Sequence, residues 1–385
     1  MTIPAIEREL FFDEAEYDQR LAALRNAMAA RGIDTLMLAG PENIYYVSGY
    51  QTFGFHNYQL LIVPSEGKPF LILRYLESML AYRYAWTDDI VPWDDTEDPV
   101  AVTVRELERR NLAGGTIGAE ERSFFFQVAT WKKLAAVLPR LVDGSGLVEL
   151  GRAVKSPREI EYMREAGRLS TLGVAAAIEE IAPGRSDNDV AAAAFDAMTR
   201  AGSEYLTRDP IVTTGQRSGL PHSCYMRQTL NDGDAILIEL SGVYNRYYAP
   251  LMRGAVVGTP SAAVERMAAV CLEALDAAID AVRPGATSAD VDRAAREIIV
   301  KAGLWENYRK RAGYSVGIGF SSWVEGAIAS LKEDDPTVLR PGMCFHIPIA
   351  LRIYDQAGLG FSETVVVTET GCEQLGSHPR ELARR

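Results

Sequence analysis

An imidazole, a carboxylate ending an apolar run and a phenol set among glycines are the side chains of this 385-residue sequence best suited to chemistry. His222, one of four histidines, closes the segment Ser218-Gly219-Leu220-Pro221-His222. An imidazole with an ordinary pKa of about 6.5 gives and takes a proton near neutrality. Glu239 follows Ile236-Leu237-Ile238, so a buried strand would project its carboxylate into a cleft. There it can orient water, pair with a cationic substrate or attack carbon; its plainer role is a structural ion pair with Arg253 or Arg227. Tyr314, in Gly313-Tyr314-Ser315-Val316-Gly317, can donate to a developing oxyanion, bind a carboxylate or simply fill space. Glu363 faces either the same cleft or, by strand alternation, away from it. His346, in Phe345-His346-Ile347, has the same two options, structural or substrate-binding. Tyr50, Phe53, Phe55 and His56 cluster after Tyr45-Tyr46, which reads as a strand. Aromatic faces with carboxylates suit a small cationic or amidine-bearing ligand, and equally an apolar subunit interface.

These residues need elements to hold them. The segments Leu230-Asn231-Asp232-Gly233-Asp234-Ala235-Ile236-Leu237-Ile238-Glu239 and Leu339-Arg340-Pro341-Gly342-Met343-Cys344-Phe345-His346-Ile347-Pro348 align without a gap, each a turn followed by an apolar run. Upstream, Pro183-Gly184, Asp189-Val190 and Ala201-Gly202 recur 101 positions later as Pro284-Gly285, Asp290-Val291 and Ala302-Gly303. The pattern predicts a duplicated α+β unit whose halves face each other across a cleft. Ser156-Pro157-Arg158-Glu159 opens a helix with a capping box, and Pro183-Gly184 stops it. Earlier in the chain, a helical pattern over Tyr17 to Arg31 alternates with short buried strands at 35–39, 60–63 and 70–73, an α/β pattern. The expected domains are 1–152 and 153–385.

Composition is that of an ordinary globular protein, 48% hydrophobic and 24% charged. A net charge of −12 argues against nucleic acid or an anionic membrane as partner. No apolar run is long enough to span a bilayer, and Met1-Thr2-Ile3-Pro4 lacks a basic-then-apolar signal layout. Cys224, Cys271, Cys344 and Cys372 are dispersed, as free thiols of a reducing cytoplasm would be. The expectation is a cytoplasmic protein acting on a small molecule.

The paired segments resemble the two metal-bearing strands of the pita-bread family, which includes methionine aminopeptidases, prolidases, aminopeptidase P and creatinase. Asn43-Ile44-Tyr45-Tyr46-Val47-Ser48-Gly49-Tyr50 is similar to the creatinase-type N-terminal domain. The resemblance implies an α/β N-terminal domain plus an α+β duplicated pita-bread C-terminal domain. The family's metallopeptidases hold two metals with two aspartates, a histidine and two glutamates. The matching residues here are Glu239, Pro250, Tyr314, Pro348 and Ser362, of which only Glu239 is a carboxylate. A first-row divalent cation wants several N, O or S donors, so neither metal nor other cofactor is expected; a residual site from Glu239, Glu363 and His346 is the alternative. Creatinase, itself metal-free, uses the histidine matching His222 as its acid/base. In creatinase-like dimers the region matching Tyr50, Phe55 and His56 reaches into the partner's site. That implies a homodimer in which these residues, with Arg253 and His346, bind substrate.

Within the family, Ile238-Glu239-Leu240, Gly313-Tyr314-Ser315-Val316-Gly317-Ile318-Gly319 and Phe345-His346 look most like the ectoine hydrolases, metal-independent relatives that open a cyclic amidine. The resemblance implies a hydrolase of a non-peptide C–N bond in a cyclic amidine or guanidino-type compound. Glu239 would attack the amidinium carbon or deliver water to it, His222 would pass a proton to the departing nitrogen, Tyr314 would steady the intermediate, and Glu363 is a further catalytic candidate. The alternatives are an Xaa-Pro dipeptidase and a non-catalytic pita-bread module that binds peptides or proteins.

Overall fold

The computed structural model describes residues 6–325 and 328–385 and divides the chain into two compact units, Met1–Arg152 and Ala153–Arg385. In the first, short apolar runs bounded by turn residues become β1 (Thr35–Leu38), β2 (Leu60–Pro64), β3 (Phe70–Arg74), β4 (Ile90–Trp93), β5 (Ile117–Ala119) and β6 (Leu141–Asp143). They form one mixed sheet in the order β4-β3-β2-β1-β5-β6. The helix Glu14–Ala30 precedes it. Tyr45 and Tyr46 are not on a strand but within the helix Pro41–Ser48. Pro41 presets the first helical turn and Gly49, at φ 76°, closes the helix in the left-handed conformation. Those two end signals outweigh the strand preference of paired tyrosines.

The second unit opens on the helix Pro157–Glu180, whose Ser156–Glu159 capping box is formed in both directions. Its strands are β7 (Ile211–Thr214), β8 (Ala235–Leu240), β9 (Val243–Tyr244), β10 (Tyr247–Tyr248), β11 (Leu251–Val256), β12 (Gly313–Ser315), β13 (Ser330–Leu331), β14 (Cys344–Ile353), β15 (Ala357–Val367), β16 (Cys372–Gln374) and β17 (Ala383–Arg384). Two larger sheets result, β17-β11-β8-β7 and β13-β12-β14-β15-β16, one from each half-repeat apart from the C-terminal β17.

The duplication extends to individual hydrogen bonds. Gly184 and Gly285 both sit at φ 84°, a conformation that costs glycine little. The helices that follow, Asp187–Arg200 and Ser288–Lys301, start with Ser186/Asp189 and Thr287/Asp290 capping boxes. Leu230 N–H then donates to the Arg185 carbonyl, and Leu339 N–H to that of Ala286. At the next turn Gly233 and Gly342, at φ 85° and 86°, donate to the Val257 and Val367 carbonyls. The two halves meet along β11 and β15, where Met252 N–H donates to Ser362 Oγ at 2.7 Å and Leu359 packs against Gly254 so closely that a Cβ there would lie 2.5 Å from it. Among the described residues, no helix is long and apolar enough to cross a membrane, and the four cysteines are free.

Candidate active site

A cavity of about 400 Å³ opens in the second unit, and its lining includes Glu239, His222 and Tyr314. Each arrives from a different element. Glu239 is half-buried on β8, opposite Met252 of β11, which also lines the cavity. His222 is exposed on a tight turn in the left-handed conformation, φ 59°. The chain just before it is pinned to the β14–β15 hairpin: Ser218 Oγ accepts Gly358 N–H at 2.8 Å, and a Cβ on Gly358 would lie 2.0 Å from the Ser218 carbonyl. Tyr314 stands on β12 beside His346 of β14.

The charge around Glu239 comes from residues the sequence reading passed over. Arg208, Lys310, Arg311 and Arg352 also line the cavity, and none has a carboxylate ion-pair partner among the described residues. Lys310 Nζ donates to the Pro348 carbonyl at 2.6 Å, Arg208 lies over Trp323 and Arg311 over Tyr314. Burial pushes the Glu239 carboxyl above its ordinary range, with Lys310, Arg352 and Arg208 acting in the opposite sense. Burial, then Arg352, pulls the Lys310 ammonium down to about 8, against the attraction of Glu239. The site is thus one carboxylate among several cations. Its sequence signal was Tyr308-Arg309-Lys310-Arg311, a basic run in an acidic chain just before Gly313-Tyr314.

Several expected site residues lie elsewhere. Glu363 is buried off the cavity and pairs with Arg253 at 2.6 Å, both at most 2% exposed. It is Ser362 that faces Pro348 across the β14–β15 ladder, and the one-residue step carries Glu363 to the other face. Arg253 likewise neighbours the cavity-lining Met252 but points away, donating to the carbonyls of Met252, Ser362, His378 and Pro379. A substrate-binding role for Arg253 and a catalytic one for Glu363 are therefore replaced by a buried ion pair between them. His346 is fully buried and does not line the cavity. Its ring nitrogens reach Tyr314 Oη at 3.0 Å and Ser362 Oγ at 2.7 Å, and burial, then Lys310, hold its pKa well below the ordinary value. Tyr50, Phe55 and His56 belong to the first unit, whereas the cavity is lined by residues of the second. Tyr50 and Phe55 are buried there, and His56 packs at a tilt against Phe55 with ring centroids 4.2 Å apart.

Comparison with known proteins places this fold in a defined class. The description "Metallopeptidase family M24" matches residues 161–369, and "Creatinase/Prolidase N-terminal domain" matches residues 20–154. The chain belongs to the M24 family and is a pita-bread hydrolase acting on carbon–nitrogen bonds. It is 31% identical to an ectoine hydrolase of Halomonas elongata, over 98% of this chain and 99% of that one. It is also 30% identical to an Xaa-Pro dipeptidase of Pyrococcus furiosus, over 94% and 99%. A crystal structure of a dipeptidase from Mycobacterium ulcerans superposes with a TM-score of 0.85 at 28% identity, covering 98% of this chain and 99% of that one.

The family name implies metal, and the residues at the five matching positions do not fit one. Pro250 and Pro348 have no side-chain donor, and their carbonyls accept from Thr364 Oγ1 and Lys310 Nζ. Ser362 Oγ is engaged by His346 and Met252 N–H, and the Tyr314 phenol by His346 and Trp323. A pair of divalent cations beside the Lys310 ammonium, with Glu239 as the one carboxylate, lacks both the charge and the donors it needs. Among the described residues no group of three or more His, Cys, Asp or Glu is placed to hold a metal ion.

Proposed function

We propose that this chain hydrolyses, without metal, a non-peptide C–N bond in a small cyclic amidine or guanidino compound that also carries a carboxylate. One observation carries the reading: among the described residues Glu239 is the sole carboxylate lining a cavity that is also lined by Arg208, Arg309, Lys310, Arg311 and Arg352. A zwitterion matches that layout, its amidinium drawn to Glu239 and its carboxylate to the arginines, for which a planar fork is the better partner. Glu239 attacks the amidinium carbon or directs water onto it. The C–N bond then breaks as the departing nitrogen takes a proton delivered through His222; where Glu239 has attacked, water afterwards adds to the same carbon and releases the carboxylate, so either route consumes one water. The Tyr314 phenol, which burial keeps protonated, donates to the tetrahedral intermediate.

The test is turnover of a panel of ectoine-like cyclic amidines, creatine-like guanidino acids and Xaa-Pro dipeptides, before and after chelation, with metal analysis of the same sample. Turnover of an amidine or guanidino acid that survives chelation is expected. Dipeptide hydrolysis that requires stoichiometric metal would overturn the proposal in favour of the dipeptidase reading.

We further propose a homodimer. In the first unit Phe53, Leu76 and Met79 are 73%, 68% and 42% exposed. Thr52 Oγ1 hydrogen-bonds the Glu77 carboxylate and so holds the Phe53 loop beside them. An apolar patch of this kind suits burial against a second copy.

A further inference from the structure

Ser362 and Tyr314 occupy two of the family's five metal-ligand positions, and in this chain His346 joins them. Met252 N–H donates to Ser362 Oγ at 2.7 Å, Ser362 Oγ lies 2.7 Å from His346 Nε2, His346 Nδ1 lies 3.0 Å from Tyr314 Oη, and Trp323 Nε1–H donates to Tyr314 Oη at 3.2 Å. Ser362 and His346 are both 0% exposed, and among the described residues the side chains of Ser362, His346, Tyr314 and Trp323 have no further hydrogen-bond partner.

A neutral imidazole carries one ring proton, so two arrangements are open. With the proton on Nε2, His346 donates to Ser362 Oγ and accepts from the Tyr314 hydroxyl. The Ser362 hydroxyl proton then has no acceptor in a fully buried place, the costly case for a polar group. The phenol has meanwhile spent its own proton on His346 and offers the cavity only a lone pair. With the proton on Nδ1, Ser362 O–H donates to Nε2 and Nδ1–H donates to Tyr314 Oη. Both phenol lone pairs are then filled, by His346 and Trp323, and the Tyr314 proton is the only one of the set left without an internal acceptor. It belongs to the one member of this hydrogen-bonded set that both carries a hydroxyl and lines the cavity.

We propose that Ser362 and His346 are positioning residues that hold the Nδ1–H tautomer and thereby make Tyr314 an obligate hydrogen-bond donor to whatever negative charge develops in the cavity. The low pKa of His346, set by burial and Lys310, agrees with a ring that stays neutral. The catalytic use of the donor rests on the hydrolytic reading above; the tautomer does not.

The test therefore has two readouts. Proton–nitrogen correlation spectra of histidine-labelled protein, with His346 assigned by His346→Gln, should show a protonated Nδ1 and a bare Nε2 across the neutral range. A protonated Nε2 would overturn the inference whether or not a substrate is known. On the preferred substrate, Tyr314→Phe should lower kcat by about 10²–10³, the loss usual for one oxyanion donor, with KM little changed. Ser362→Ala should lower kcat in the same direction and add nothing in the double variant, while Ser362→Thr, which keeps the hydroxyl, should retain both the tautomer and most of kcat. Full kcat in Tyr314→Phe would remove the donor role and leave the Glu239 reading standing. Loss of activity in Ser362→Ala that Ser362→Thr does not restore, with the Nδ1–H signal intact in both, would reduce Ser362 to packing.

Discussion

At the scale of single residues, the chemistry depends on opposite charges held in one cavity. Glu239 is raised by burial and Lys310 lowered to about 8 by burial and Arg352. The working form is carboxylate with ammonium. Falling pH protonates Glu239 at a higher value than an exposed glutamate would, and rising pH discharges Lys310 near 8. The groups acting on Lys310 are Arg352, Glu239, Cys271 and Arg311, and of these only Arg352 and Arg311 favour loss of its proton. A bell-shaped kcat/KM profile is therefore expected, its alkaline limb near 8. Lys310→Met should flatten that limb along with lowering kcat/KM, and an alkaline limb unchanged in the variant would assign it to another group. Glu239→Gln and His222→Ala should each cost about 10²–10⁴ in kcat with the fold kept, as loss of a positioned acid/base or nucleophile does. His222, on an exposed turn with no hydrogen-bond partner among the described residues, should show little change in melting temperature. Near-normal turnover by Glu239→Gln would remove the centre of the proposed mechanism.

At the scale of elements, β11 and β15 bring Arg253 and Glu363 together in a place that excludes water. Breaking a buried pair leaves one charge uncompensated and costs about 3–5 kcal/mol, whereas replacing both partners by apolar groups can cost far less. Glu363→Leu should therefore lower unfolding free energy by about that amount in denaturant titrations, and Arg253→Met/Glu363→Leu should recover part of it. Recovery will be incomplete because Arg253 also donates to four carbonyls. The surviving folded enzyme should keep its kcat; a selective loss of kcat without loss of stability would return Glu363 to the chemistry. This pair also marks where sequence reading stops. The Ser156–Glu159 capping box, the Gly184/Gly285 stops and the two aligned turns were readable because glycine at positive φ and serine at an N-cap are local requirements. Which of Ser362 and Glu363 faces Pro348 is a matter of register, and a one-residue step exchanges the faces. Lys310 and Arg352 come from a loop and the end of a long hairpin, and no local pattern says that they converge on Glu239.

At the scale of the whole molecule, the exposed apolar side chains of the first unit are the feature a single copy leaves unexplained. Isolated exposed leucines are ordinary, but Tyr75, Leu76, Met79 and Leu80 are consecutive or one turn apart, with exposures of 47%, 68%, 42% and 38%. Phe53 is held nearby through the Thr52–Glu77 hydrogen bond. A standard interface buries about 800 Å² per partner around an apolar centre with a polar rim, and these residues are suited to be that centre. In sedimentation at micromolar concentration the protein should run as a dimer. Leu76→Asp with Met79→Asp should shift it to monomer, because burying two carboxylates against apolar surface opposes association. Neither position belongs to the cavity of the second unit, so the activity of the monomer decides whether the sites are shared. Activity that falls in step with dissociation and recovers at high protein concentration is the expected result. A monomeric variant with undiminished turnover would confine the site to one chain, and a wild-type protein that sediments as a monomer at every concentration would leave the patch without a partner of its own kind.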